Sequence, residues 1–410
     1  FTNPPQTGRG GQFNASLAAT YGPQVLTPQS NPSNLFNFQD FVWLTPEIKR
    51  RGIYSTFNYD FSKDLTFYAE ASLQRNQSHI ELAPPPVTTV DDNQIYVPRT
   101  NYWNPFGVDV AFDYRPVDLG ARKSDVTNQT ALVFAGTKGK LRDRSEWDVG
   151  YSYRQDDSTD RSSNMISESR LRAALALNTP DALNIFGGPG FKNNPATLDR
   201  IRASTLQGGY ADLSLGDAKI SGDLFDLPSG TVGGAFYTEW RHERFGERND
   251  DLSSTLDDVV AQVRLSDPID AQRTVKSVAA ELRLPLVKPA QHRLLYKADL
   301  SLAARYEDFS DGYNSGTKPY VGLRYQPFRD LVLRGSYTES FRAPSLPQLY
   351  GGIHESLVNN LADYRRPQAL TGDPFDGPAT QRLVRSVGNP TLTPEIARTC
   401  QYGFVYDVPL

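Results

Sequence analysis

The chain has 410 residues, a formal net charge of −4, 38% hydrophobic residues and 22% charged residues. No apolar run approaches the ~18 residues a membrane helix needs, which excludes a helical membrane protein. The near-balanced charge points to neither nucleic acid nor an acidic surface as partner. Aromatic residues, 21 Tyr and 21 Phe against one Met, favour strands. Cys400 stands alone, so there is no internal disulfide and no thiolate metal site.

Taken in order, residues 1–48 are rich in Pro, Asn and Gln and predict a loop-rich piece with one short strand at 13–22. The chain opens on Phe1 and closes inside an alternating run at Leu410, so both ends read as cuts through a longer protein. From 49 to 410 a single pattern repeats. In 51–61, Ile53, Phe57, Tyr59 and Phe61 share one face, and Tyr54, Thr56, Asn58 and Asp60 share the other. After a tight turn the alternation resumes in 65–78. Pro84, Pro85 and Pro86 then stop any ladder within a long segment, 79–123.

A second pair, 127–141 and 145–156, puts Trp147, Val149, Tyr151 and Tyr153 on one face. Residues 156–202 form another long polar segment, in which 166–177 predicts a short helix. Strands at 206–216 and 231–245 follow, joined by a medium turn over 217–230. After the acidic segment 246–273 come strands at 274–287, 294–306, 321–325 and 331–338. In the second of these Leu300, Leu302 and Tyr306 alternate with Asp299, Ser301, Arg305 and Glu307.

Each strand thus carries one apolar face and one polar or ionic face. Short and long connections also alternate. Both features predict an all-β, antiparallel, up-and-down transmembrane barrel, with apolar side chains toward lipid and ionic ones toward a lumen. About a dozen strands are expected, each near the ~9–11 residues that cross a bilayer, so the barrel is incomplete.

Two motifs bring in a family. Phe341, Arg342, Ala343, Pro344, Ser345 and Leu346, followed by Leu349, resemble the FRAPS-x-x-E-L signature of TonB-dependent outer-membrane receptors, with Gln348 where that family has Glu. Gly388, Asn389, Pro390, Leu392, Pro394 and Glu395 resemble its G-N-P-x-L-x-P-E motif, which precedes the next strand. The segments 225–245, 82–87 and 103–107 resemble a strand and an extracellular loop of the same receptors. The resemblance implies an outer-membrane barrel occluded by an N-terminal plug and energised by the TonB complex through an N-terminal box. Neither plug nor box is found in this chain.

Alternation aims Glu239, Arg241, Glu243, Asp299, Arg305, Glu307 and Arg334 into the lumen, where carboxylates and guanidiniums on neighbouring strands pair. Arg342, at an outer strand end, is expected to close that strand against a loop or to meet a plug. Loop aromatics are the ligand-contact candidates: Tyr102, Trp103, Phe106, Tyr350 and Tyr364, with His354 beside them. The four histidines have no metal-ligand spacing, and nothing resembles a nucleophile elbow, a phosphate loop or a zinc site, so no catalytic residue, metal or cofactor is expected. The expected partners are outer-membrane lipid, the TonB complex and a small-molecule ligand. Two other readings share parts of the pattern: a passive porin, and a secreted all-β carbohydrate-active enzyme whose core would be apolar inside.

Overall fold

In a computed structural model of the chain the described residues are 38–88, 95–141, 144–187, 191–260, 264–287, 294–358, 361 and 382–408. The strand expected at 13–22 lies outside them, as does Tyr364. Eleven strands form one sheet in which every neighbour is antiparallel. They are β1 (Glu47–Ser62), β2 (Leu65–Leu82), β3 (Arg122–Leu141), β4 (Ser145–Ile166), β5 (Arg202–Leu227), β6 (Gly230–Asn249), β7 (Ile269–Val287), β8 (Lys297–Phe309), β9 (Lys318–Phe328), β10 (Leu331–Arg342) and β11 (Glu395–Tyr406). Strand order in space follows strand order in the chain, the up-and-down arrangement. Among the described residues β1 and β11 each have a partner on one side only, so the sheet is not closed.

Register fixes the two faces. Ile53, Leu73, Ala131 and Gln155 are successive cross-strand partners, as are Phe236, Ala280 and Ala304. Leu282, Leu302 and Val321 form a third row. On this face large apolar side chains stay uncovered: Ile53 is 72% exposed, Phe57 55%, Phe236 48% and Val321 41%. On the opposite face Glu239, Arg273, Ser277 and Asp299 are buried. Carboxylates shielded and hydrocarbon uncovered is the reverse of a water-soluble sheet, and it is the arrangement a lipid-facing wall requires. Runs such as Leu65, Phe67, Ala69, Ala71 and Leu73 on β2 and Trp147, Val149, Tyr151 and Tyr153 on β4 make up the apolar band of such a wall.

Two expectations on element length are corrected. Residues 217–230 are not a turn. β5 runs unbroken for 26 residues to Leu227, and only Pro228 and Ser229 turn the chain. Asp217, Gly222 and Asp223 read as turn residues, yet Asp217 sits on the ionic inner side of the sheet, opposite Glu239. Most strands also exceed the ~9–11 residues that cross a bilayer; β4 has 22 and β3 and β6 have 20 each. Their outer ends, such as Arg154–Ser163, are polar on both faces and continue the ladder beyond the apolar band.

All long connections leave the same end of the sheet. Those after β2, β4 and β6 pack together around a core of their own, including Val97, Phe112, Leu119, Leu171, Leu175, Leu183, Ile201 and Val260. The predicted helix forms as α1 (Glu168–Leu175), N-capped by Ser167, and a second, α2 (Pro195–Ile201), is capped by Asn194 with proline at its first position. The predicted proline stop holds: β2 ends at Leu82, and Pro84 and Pro85 are buried. Among the described residues no helix is long and apolar enough to cross a membrane.

Leu302 lies in the middle of the outward apolar face, so Leu302→Arg is expected to cost about 2–4 kcal/mol of folding free energy in lipid. Denaturant titration of the full-length protein folded into vesicles measures it, with Ser301→Arg, one position away on the inner face, as the near-neutral comparison.

Candidate ligand-facing wall and loop cap

The inner face is an ionic lattice. Arg241 on β6 bridges two carboxylates of its own strand, with Nη1 2.6 Å from Glu239 and Nε 2.5 Å from Glu243. The Tyr237 hydroxyl donates to Glu239 at 2.7 Å. From β7, Arg273 donates to the second oxygen of Glu243 at 2.7 Å. On β8 Arg305 pairs with Glu307 at 2.5 Å, and Asp299 lies 3.6 Å from Lys297 and 3.7 Å from Arg324. Arg334 faces Arg324 across the β9–β10 ladder. The first three expected lumen charges therefore meet in one network, the β8 charges form separate pairs, and Arg334 stands apart from both.

Toward β2 the lattice continues through uncharged donors. The Tyr68 ring lies over Gly136 on β3, and its hydroxyl donates to Asp148 on β4, one strand further on. A side chain at 136 would collide with that ring. The glycine is what lets a tyrosine reach a carboxylate two strands away.

Arg273 went unnoticed in the sequence, where it falls inside the acidic segment 246–273. Its inward parity with Val275 and Ser277 was available as a signal. Besides Glu243, it donates from Nη1 to the Pro344 carbonyl at 2.7 Å, lies 3.7 Å from Asp311, and covers the Phe309 ring. One buried guanidinium thus ties the wall to the first turn of the connection after β10.

That connection explains why the two motifs occur together. Ser345 caps α3 (Leu346–Tyr350), and Gln348 returns the bond, with its Oε1 accepting from the Ser345 N–H at 2.9 Å. The position needs a side-chain acceptor rather than a charge, so Gln serves where Glu was expected. Leu346 and Leu349 are buried beneath. The second motif then closes on the first: the Gly388 N–H donates to the Gly351 carbonyl at 2.8 Å and the Asn389 N–H to the Gln348 carbonyl at 2.8 Å. Asn389 Oδ1 accepts from Thr391, and the Tyr313 hydroxyl donates to the Pro390 carbonyl. A Cβ at 388 would come 2.5 Å from the Gly351 nitrogen, so only glycine fits. Arg342 lies 3.6 Å from Glu395 across the β10–β11 ladder, with both side chains exposed.

Above the wall, the loop aromatics divide. Trp103 packs against the loop core and donates from Nε1 to the Ala182 carbonyl at 3.1 Å, and Phe106 packs on Phe186. Tyr102 remains half-exposed, edge-on to Trp103, and Phe191 also packs edge-on to Trp103 while 41% exposed. Phe191 had no sequence signal, because what makes it a surface aromatic is its contact with a residue 88 positions earlier. Tyr350 ends α3 and is 40% exposed, and His354 opens a short hairpin strand, His354–Val358, paired with Arg382–Ser386. The cap is fastened by Asp258. Burial alone would raise its carboxyl, but hydrogen bonds from Ser167 Oγ, the Ser169 N–H and Ser169 Oγ hold it below the usual carboxylate range. Among the described residues no group of His, Cys, Asp and Glu could hold a metal ion.

The family described as TonB dependent receptor-like, beta-barrel, matches residues 87–409. No curated protein sequence matches the chain. Similar solved structures include the siderophore receptor PirA from Acinetobacter baumannii, at 13% identity and TM-score 0.47 over 88% of this chain and 41% of that one. A mutant of the ferric enterobactin receptor PfeA from Pseudomonas aeruginosa aligns at 12% identity and TM-score 0.49, covering 91% and 42%. The RagAB peptide transporter aligns at 12% and 0.49, covering 88% and 38%. The chain spans about two fifths of the length of these structures.

Two substitutions test the junction between wall and loop. Gly388→Ala is expected to part the two motif segments and to raise amide exchange at Gly351 and Asn389 while leaving β6 and β7 protected. Arg273→Met leaves the Pro344 carbonyl and one Glu243 oxygen without their buried donor. About 3–5 kcal/mol of local stability is at stake, read as faster exchange over Ser345–Tyr350.

Proposed function

Because this chain belongs to the TonB-dependent receptor family, whose β-barrels stand in the outer membrane of Gram-negative bacteria, we propose that it is barrel wall and loop cap of an active import receptor. The receptor captures a bulky, scarce ligand from outside: an iron siderophore, cobalamin, an oligosaccharide or a peptide. TonB energises its release inward through a plug segment that the lumen charges contact.

The observation that carries this reading is the folded cap. A passive diffusion pore gains nothing from three long connections that share a hydrophobic core above its mouth. A capturing receptor gains a preformed surface, with Tyr102, Phe191, Tyr350 and His354 as its ligand contacts. Stacking on such aromatics suits sugars and planar chelates. On β6 the carboxylates Glu239 and Glu243 are engaged with Arg241, Arg273 and Tyr237, the arrangement of a structural wall.

Uptake of labelled ligands from the four classes by cells carrying the full receptor tests the reading. One class is expected to accumulate against a gradient, and accumulation is expected to stop when TonB is deleted or the proton gradient collapsed. Tyr102→Ala combined with Phe191→Ala is expected to weaken binding of that ligand by about 2–4 kcal/mol in total, with barrel folding unchanged. TonB-independent uptake, together with a large ohmic conductance in planar bilayers, would mean a porin instead.

A further inference from the structure

Among the described residues Asp311 is the one carboxylate with both oxygens buried and neither of them hydrogen-bonded. Its side chain is 4% exposed, and the cation beside it is Arg273, whose Nη1 stands 3.7 Å away. Other shielded carboxylates are answered closely: Glu239 by Arg241 at 2.6 Å and Glu355 by Arg385 at 2.6 Å. A buried carboxylate with no bonded donor is costly, so the surroundings of Asp311 favour any movement that brings one.

Asp311 is held in place by its turn between β8 and β9. The Ser310 N–H donates to the Thr274 carbonyl at 2.8 Å, Ser310 Oγ accepts from the Thr274 N–H at 2.8 Å, and the Gly312 N–H closes on the Phe309 carbonyl at 3.0 Å. The guanidinium is the part with room to move. Its Nε is bonded to Glu243 at 2.7 Å, while Nη1 reaches the Pro344 carbonyl at 2.7 Å. Swinging about that Nε bond, Nη1 needs a shift of about 1 Å to come within the ~2.8 Å of a charge-assisted bond to Asp311. Phe309 lies beneath, its ring centroid 5.1 Å from the guanidinium, and attracts the cation without directing its N–H groups to either acceptor.

We propose that Asp311 is a second acceptor for Arg273, and that transfer of Nη1 from the Pro344 carbonyl to Asp311 unlatches the connection after β10 from the wall. The two arrangements keep Glu243 and exchange one hydrogen bond for another, which makes the junction a two-state element. In one the first turn of the connection, with α3 behind it, is tied to β7; in the other the Pro344 carbonyl loses its donor. Glu243 is shared with Arg241, so a change among the inner-face charges reaches the loop through the same guanidinium. The latch belongs to the junction and does not depend on what the loop binds.

Hydrogen exchange of the full-length receptor in detergent tests it. Asp311→Asn keeps the shape and removes the charge, so Nη1 stays on Pro344. Exchange over Ser345–Tyr350 is expected to slow at least about threefold, with β6 and β7 as protected as before. A carboxylate that only steadies Arg273 where it stands would give faster exchange, and one that only holds a water would give no change; either result overturns the latch. In an Arg273→Met background Asp311→Asn is expected to add nothing over Ser345–Tyr350, because no guanidinium is left to transfer. Slowing there as well would put the effect in the turn itself and overturn the latch equally. Asp311→Ala is expected to act in the same direction as Asp311→Asn, and opposite signs from the two would also overturn it.

Discussion

The structure depends on one constraint: in hydrocarbon there is no water to bond a free N–H or C=O, so every strand must complete its neighbour's ladder. Sequence freedom then collapses to a two-residue rhythm. One side chain of each pair is chosen for lipid and the next for what lies inside. Register between β5, β6, β7 and β8 carries this choice sideways, so that Asp217, Glu239, Ser277 and Glu307 line up although they are far apart in the chain. A slip of one residue in any strand would drive such a row into lipid.

Once the rhythm is fixed, charge can be used lavishly on the inner side. Arg241 holds two carboxylates, Glu243 holds two arginines, and Tyr68 and Tyr237 supply neutral donors where an arginine would overcrowd. Such a lattice stiffens a wall that has no hydrophobic core of its own. The apolar interior of this chain lies instead above the wall, where three connections bury Leu171, Leu175, Leu183 and Ile201 among themselves. Arg273 joins the wall to a fourth connection, the one after β10, with Glu243 on one side and the Pro344 carbonyl on the other.

What could be read from sequence follows from which forces are local. Alternation is local, and it gave strand identity, facing and short turns expected at 62–64 and 326–330, which the structure tightens to 63–64 and 329–330. It failed at 217–230, because Gly and Asp signal a turn in water-soluble proteins but serve equally on a polar inner face. Strand length was also underestimated, since the residues beyond the belt lose their apolar partners and no longer look two-sided. The motif pair was legible as a resemblance, yet its reason is tertiary: Gly388 must be bare because Gly351 is there. The cap aromatics could not be sorted by sequence at all. Trp103 and Tyr102 are neighbours in the chain, and only packing against the Ala182 carbonyl and Phe191 separates an anchored ring from an open one.

The overlong strands have a consequence for the loop core. On β4 the stretch from Gln155 to Ile166 lies past the belt, and at ~3.3 Å per residue with a tilt near ~40° it rises roughly 30 Å before the first helix begins. The loop core is therefore held well away from the apolar belt, so its apolar side chains must be buried against one another rather than against lipid.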